Sequence, residues 1–213
     1  MYLCVWVRSA RIGKLLQWVP VCGPISTVCV AKIQSAVDAS AATGCCPSVI
    51  TFTGFREGIP DDVGAKNTVA GLKKVIGYCE GKKINLVIEM LNSRVAEDMK
   101  GHPGYQGDHM DYVIDIIKQV GSPRMKVLFD FYHVQVMDGD VMARLKKHFE
   151  YVGHIHTAGV PGRCEIGPDQ ELNYRPLFKL LADLKYAGYV GHEFVPTRDA
   201  LSGLQEAVAL ATV

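Results

Sequence analysis

The chain has 213 residues, 48% of them apolar and 21% charged, with 23 basic against 22 acidic side chains and a formal net charge of +1. That length holds one domain with a substantial core, and the near-balance of charge excludes the field that a nucleic-acid or anionic-membrane binder needs. Seven cysteines, an odd number without regular spacing, speak against a secreted disulfide scaffold and for a reducing, cytoplasmic compartment.

At the amino end, Met1 to Val7 is apolar but short, and basic residues follow it rather than precede it. A signal peptide has the reverse order, and a membrane span needs about 18–20 apolar residues, so neither a signal nor an anchor is expected. Residues 1–30 form an atypical segment with no acid before Asp38. In it Val5-Trp6-Val7 and Leu15 to Val19 read as short strands, and Pro20, Gly23 and Pro24 interrupt the chain after them.

From there the rhythm is regular. Val30, Ile33, Ala36, Val37 and Ala41 share one face of a helix ending near Gly44. Residues 48–53 form a β-branched strand, and Val69, Leu72, Val75, Ile76 and Cys79 mark a helix. Strand 84–91 leads into a glycine-rich loop, and Asp108 is placed to cap a helix with the stripe Met110, Val113, Ile114 and Ile117. Strand 125–131, a helix over about 139–149, strand 151–157 and the long loop 158–172 come next. Asn173 caps a helix carrying Leu177, Leu180, Leu181 and Leu184, and strand 189–195 precedes a last helix with Leu201, Leu204 and Val208.

Strands alternating with helices give right-handed βαβ units and a parallel sheet. No G-x-G-x-x-G follows any strand, which removes the usual sign of a dinucleotide fold. Four apolar runs instead end in acids or histidines: Glu89, Asp130, His156 and Glu193. Buried strands do not end this way by propensity, because an unpaired buried charge is costly. A barrel aims all its strand ends at one axis, so the expected fold is an α/β (β/α)8 TIM-barrel type with about five to six recognisable units, incomplete beside the usual ~250 residues. The whole chain, 1–213, reads as one such domain.

Each candidate has a plain alternative. Glu89 and Glu193 can be structural acids paired with a base. His133 can bond backbone at a helix start. One of His154 and His156, which share a strand face, can simply fill the interior, His156 being nearer the strand's end. Arg163 can hold an anionic or hydroxylated substrate or form a surface ion pair. His102 and His109 lie in a glycine-rich loop, where exposure is the default. Two glutamates, an aspartate and one imidazole form an oxygen-rich set suited to Mn²⁺, Mg²⁺ or Co²⁺.

The motifs Ile88-Glu89-Met90-Leu91-Asn92-Ser93, Asp130-Phe131-Tyr132-His133, Gly153-His154-Ile155-His156, Pro161-Gly162-Arg163 and Gly191-His192-Glu193-Phe194 together resemble the xylose-isomerase-like TIM-barrel superfamily, nearest its hydroxypyruvate isomerases, with ketose 3-epimerases as cousins. The resemblance covers about residues 30–213. It implies that Glu89 and Glu193 exchange a proton with the substrate through an enediol. It implies too that the same pair, with Asp130 and His156, binds a divalent metal, and that His133, Arg163 and Glu165 contact substrate oxygens. Hydroxypyruvate isomerases often have glutamine at the position of His156, whereas a histidine there is more like the epimerases. About three βα units normally precede the strand at 48–53, so the amino-terminal part is expected to be truncated or divergent. The expected partner is a small hydroxy-carbonyl compound or sugar, with neither nucleic acid nor membrane, and homo-oligomer formation is left open. A catalytically inactive barrel that only binds ligand is the alternative from another class.

Overall fold

The computed structural model describes residues 2–4 and 27–212. Six strands form one sheet: β1 (Tyr2–Cys4), β2 (Ser48–Thr51), β3 (Asn85–Glu89), β4 (Met125–Asp130), β5 (Val152–Thr157) and β6 (Tyr189–His192). All neighbours are parallel, in the order β1-β6-β5-β4-β3-β2. The expected strands at Val5 to Val7 and Leu15 to Val19 lie outside the described residues.

The spatial order follows the chain order, and the first strand returns to lie beside the last. A doubly wound sheet instead reverses direction at an internal switch point; this order is that of a barrel wall. The curl shows in one hydrogen bond: the Tyr189 hydroxyl at the start of β6 donates to the Cys45 carbonyl before β2, at 2.9 Å. Four strand steps separate β6 from β2, roughly 19 Å along a flat sheet, so the sheet must bend for the two to meet. Among the described residues β1 and β2 remain unpaired edges, which makes the barrel incomplete.

The strand residues alternate as a two-residue period requires. Leu86 and Ile88, Val127 and Phe129, Ile155 and Val190 belong to one continuous apolar core, whereas the buried Val87 and Leu128 between them stand outside it. Glu89, Asp130, His156 and Glu193 share the parity of Val87 and Leu128, not of the core face. The polar strand ends therefore converge on the inside of the curl while the other face packs on helices.

Those helices are α1 (Thr27–Thr43), α2 (Asp61–Leu72), α3 (Ile76–Lys82), α4 (Met110–Val120), α5 (Phe131–Met137), α6 (Val141–His148), α7 (Tyr174–Asp183) and α8 (Ala200–Ala211). Among the described residues none is long and apolar enough to cross a membrane. The α4 stripe is buried as its spacing predicts. The helix expected around Val69 to Cys79 is two, broken where Lys74 and Val75 take tight turn bonds to Gly71 and Leu72. Between β4 and β5 there are two α-helices and a 3₁₀ turn (Phe149–Tyr151), α5 starting at the very end of β4.

Asp108 does not cap α4. Its carboxylate accepts from Arg56 Nη1 and Nη2 at 3.1 and 2.9 Å and from Ser93 at 2.6 Å, and Asp138 takes the Met110 N–H instead. Asn173 precedes α7 as expected, without a side-chain cap bond. The strand expected over 189–195 ends at His192.

Tyr105, fully buried, ties the exits of β2 and β3 together: its hydroxyl accepts from Thr53 N at 3.0 Å and donates to the Glu89 carbonyl at 2.9 Å. Tyr105→Phe removes both bonds and should cost about 1–3 kcal/mol. Urea denaturation should show a lower midpoint at unchanged slope.

Candidate active site

Four adjacent strands each deliver one polar group. Glu89 closes β3, Asp130 closes β4, His156 is the penultimate residue of β5, and Glu193 follows β6, its N–H donating to Thr157 O at 3.0 Å. His156 Nδ1 lies 2.9 Å from Glu193 Oε2 and 3.2 Å from Glu89 Oε1. The imidazole reaches this place because Gly191 stands beside it on β6: a Cβ there would sit 2.9 Å from His156 Cδ2. Asp130 Oδ1 caps α5 by accepting from Tyr132 N at 2.8 Å, whereas its Oδ2 is buried without a hydrogen-bond partner.

One ligand atom from each of Glu89, Asp130, His156 and Glu193 falls within 4.8 Å of the others. Opposite ligands around a small divalent ion stand about 4.2 Å apart, twice a bond of about 2.1 Å. The widest separation in the set thus exceeds that of a closed cage by at most about 0.6 Å. Three carboxylates with one imidazole, and an orphaned Asp130 oxygen among them, fit a hard or borderline divalent ion.

Arg163 completes the charge pattern. Its backbone is left-handed, with φ 53°, and its buried guanidinium gives Nη2 to Glu193 Oε2 at 2.6 Å and Nη1 to the Met99 carbonyl at 2.6 Å. Nη2 is also 3.8 Å from Asp130 Oδ2, and the guanidinium lies 5.7 Å from the Tyr132 ring centre. The surface ion pair considered from sequence is therefore not what forms: Arg163 is 4% exposed.

The two glutamates titrate in opposite directions. Burial, then the Glu193 charge, pushes Glu89 up to about 7 against the pull of His156. For Glu193 burial again opposes ionisation, but the attraction of His156 and Arg163 prevails and holds it well below the usual carboxylate range. Burial also raises Asp130, opposed by Arg163 and His156. His156 is driven well up because Glu193 and Glu89 outweigh its burial. Burial, reinforced by Arg163, keeps His133 well below its ordinary value.

Of the other predicted residues, His133 sits on α5 with Nε2 3.7 Å from Asp130 Oδ2. Glu165 is not brought to the cluster. Both its oxygens accept from Thr197, at 2.9 and 2.8 Å, and it lines a separate small cavity beside Gly203 and Leu210. His109 is exposed and bonded to Asp138. His102 is part-buried, its ring 6.3 Å from that of His133. Asn92 and Tyr132 adjoin the cluster although sequence reasoning assigned them no role. They lie inside the motifs that begin at Ile88 and Asp130, but nothing in their spacing marks a contact to His133 or Arg163.

A curled parallel sheet with a four-residue polar cluster at its carboxyl ends defines a TIM-barrel site. The chain belongs to the xylose isomerase-like TIM barrel family, whose profile matches residues 16–211. It is 30% identical over 177 residues to a human protein provisionally named hydroxypyruvate isomerase, covering 81% of this chain and 62% of that one. It is 42% identical over 122 residues to the 2-oxo-tetronate isomerase of Cupriavidus necator, covering 57% and 44% respectively. The crystal structure of AP endonuclease, family 2, from Brucella melitensis superposes with a TM-score of 0.75 at 28% identity, over 84% of this chain and 66% of that one. The chain thus spans less than two thirds of the length of either sequence relative.

Replacing Arg163 removes the buried cation that faces these carboxylates. Arg163→Met should cost about 2–3 kcal/mol at pH 8, less than a fully buried pair because Glu193 is 43% exposed. At pH 5 Glu89 is protonated, one carboxylate fewer needs compensation, and the loss should shrink. Thermal melts of both proteins at the two pH values check this.

Proposed function

We propose that the chain acts as an isomerase of small hydroxy-carbonyl compounds, transferring a proton between adjacent carbons through an enediol. The favoured reaction converts hydroxypyruvate to tartronate semialdehyde. The observation that carries this reading is the placement of two glutamates, pushed apart in pKa, on either side of Asp130 and His156. Glu89 on β3 and Glu193 after β6 both reach His156 Nδ1, at 3.2 and 2.9 Å, so one can take a proton from one carbon while the other delivers its own proton to the next. In the ion-free cluster a pKa of about 7 for Glu89 lets it accept and release a proton near neutrality. The names of the two sequence relatives support the same reaction class.

Glu89, Asp130, His156 and Glu193 are the residues proposed to hold a divalent ion, Mn²⁺, Mg²⁺ or Co²⁺. Such an ion would polarise the carbonyl and offset the charge that develops on its oxygen. Arg163 and His133 adjoin the cluster through Asp130 and would orient substrate oxygens. Glu165, engaged with Thr197, is assigned to holding the strand-end loop rather than to substrate. The presence of His156 in the set favours a second reading, a metal-dependent ketose 3-epimerase, in which the same two glutamates act on opposite faces of one carbon.

The two readings separate by where solvent deuterium enters. With hydroxypyruvate in D₂O, isomerisation should label the carbon that receives the proton, whereas an epimerase should label C3 of a ketose. Glu89→Gln and Glu193→Gln should each lower turnover by roughly 10²–10⁴-fold with unchanged circular dichroism; near-full turnover in either sinks the proton-transfer assignment. No deuterium uptake by any of these compounds would favour the inactive-barrel alternative.

Ion binding should depend on pH. Glu89 must be ionised to act as a ligand, and with a pKa of about 7 it is mostly protonated at pH 6 and mostly ionised at pH 8. Mn²⁺ affinity should therefore rise at least roughly tenfold between them, with proton release, because His156, held protonated by Glu193 and Glu89, must give up its proton as well. Calorimetric titration in buffers of different ionisation enthalpy measures both quantities. An affinity independent of pH would remove both Glu89 and His156 from the ligand set.

A further inference from the structure

Asn92 lies three residues beyond Glu89, where the chain leaves β3 and begins the loop to α4. Its amide orientation is fixed from both sides. Oδ1 accepts from Val95 N at 3.1 Å and Nδ2 donates to the Lys100 carbonyl at 2.8 Å. Exchanging the two atoms would set oxygen against oxygen and nitrogen against N–H. The same Nδ2 is 2.8 Å from His133 Nδ1, and the Asn92 backbone N–H donates to that Nδ1 at 2.9 Å. Gly101 lets the loop fold this closely: a Cβ there would stand 2.5 Å from Asn92 Oδ1 and 2.2 Å from the Val95 carbonyl.

Two N–H donors aimed at one ring nitrogen settle the state of the ring. Nδ1 must present its lone pair, so the imidazole is neutral and its one proton resides on Nε2. Nε2 is fully buried and has no hydrogen-bond partner. It stands 3.7 Å from the equally unpartnered Asp130 Oδ2, too far for a hydrogen bond. A buried donor left unmade is costly, and this one adjoins the candidate active site.

We infer that Asn92 is a positioning residue that locks His133 in the Nε2–H tautomer, so that His133 gives a hydrogen bond to an acceptor oxygen of the ligand, a carbonyl or enediolate. The inference rests on the isomerase reading for the identity of that oxygen, not for the tautomer. His133 in this state can neither accept a hydrogen bond at Nε2 nor serve as a base there. It can bond only an oxygen that accepts, and leaves proton transfer to the glutamates.

The full chain labelled with ¹⁵N-histidine tests this. Its two-bond ¹H–¹⁵N spectrum should show His133 with Nε2 protonated and Nδ1 bare, and the Nε2–H signal should shift when Mg²⁺ and oxalate, whose oxygens only accept, are added. A protonated Nδ1, or a signal that oxalate leaves in place, overturns the inference. Two variants then separate tautomer control from loop support. Asn92→Asp keeps the bond from Val95 N but sets an acceptor against Nδ1, whereas Asn92→Ala loses the side chain and keeps the backbone N–H. Tautomer control predicts the larger loss of kcat in Asn92→Asp, roughly 10–100-fold, with a protonated Nδ1 in its spectrum. A larger loss in Asn92→Ala means that Asn92 only supports the loop, and overturns the assignment. If the spectrum and the oxalate shift are as expected but hydroxypyruvate and ketoses are not turned over, the isomerase reading falls and the tautomer lock stands.

Discussion

Three carboxylates converge on one buried place, and the rest of the structure is arranged around making that tolerable. Glu89, Asp130 and Glu193 would together carry three negative charges; His156 and Arg163, the cations within 4 Å of them, supply two positive ones. The remaining imbalance of one charge is what the high pKa of Glu89 relieves, since its protonation makes the cluster neutral. A divalent ion taking the place of the two protons on Glu89 and His156 leaves the same net charge of zero. The proposed metal site and the ion-free cluster are thus two solutions to one electrostatic problem, which is why one group of residues suits both.

Parallel strands explain how so many ionisable groups come to meet. Each strand keeps one face for the helix layer, and its alternate residues turn inward. A polar residue at the last inward position therefore meets its counterparts from neighbouring strands without disturbing the core. Loops then bring what strands cannot. Arg163 arrives from beyond β5 with a left-handed backbone and locks onto Met99 of the β3–α4 loop, so that two loops are joined across the cluster by the side chain that compensates its charge.

The parts legible in the sequence are those governed by local periodicity. Apolar runs located β2 to β6, the α4 stripe identified its buried face, and three acids and a histidine at the ends of apolar runs pointed to all four cluster residues, because no local preference puts them there. What stayed hidden was decided by partners far along the chain. Asp108 has the residue type and position of a cap, but Arg56, 52 residues away, claims its carboxylate. Glu165 and Arg163 are two positions apart on one loop, yet Thr197 draws one toward α8 while Glu193 draws the other to the cluster. The break between α2 and α3 was masked because Val69, Leu72, Val75, Ile76 and Cys79 are all core residues, so the apolar stripe runs through it unbroken.

The same logic separates the cluster from closure of the barrel. Its residues come from β3 to β6 and the loops after them, a contiguous arc whose strands pair with one another, and Tyr105 fixes the exit of β3 to that of β2. Among the described residues the unpaired edges lie at β1 and β2, beyond the arc on either side. Glu89 is one strand from an edge and is held by the Tyr105 hydroxyl as well as by its ladder. Glu193 follows β6, which borders the three-residue β1, and is held by Thr157 O and Arg163. The two proposed proton carriers thus occupy the ends of the arc, each anchored inward to the next strand or loop. The seam that the described residues leave between β1 and β2 therefore does not by itself loosen the geometry on which the chemistry depends.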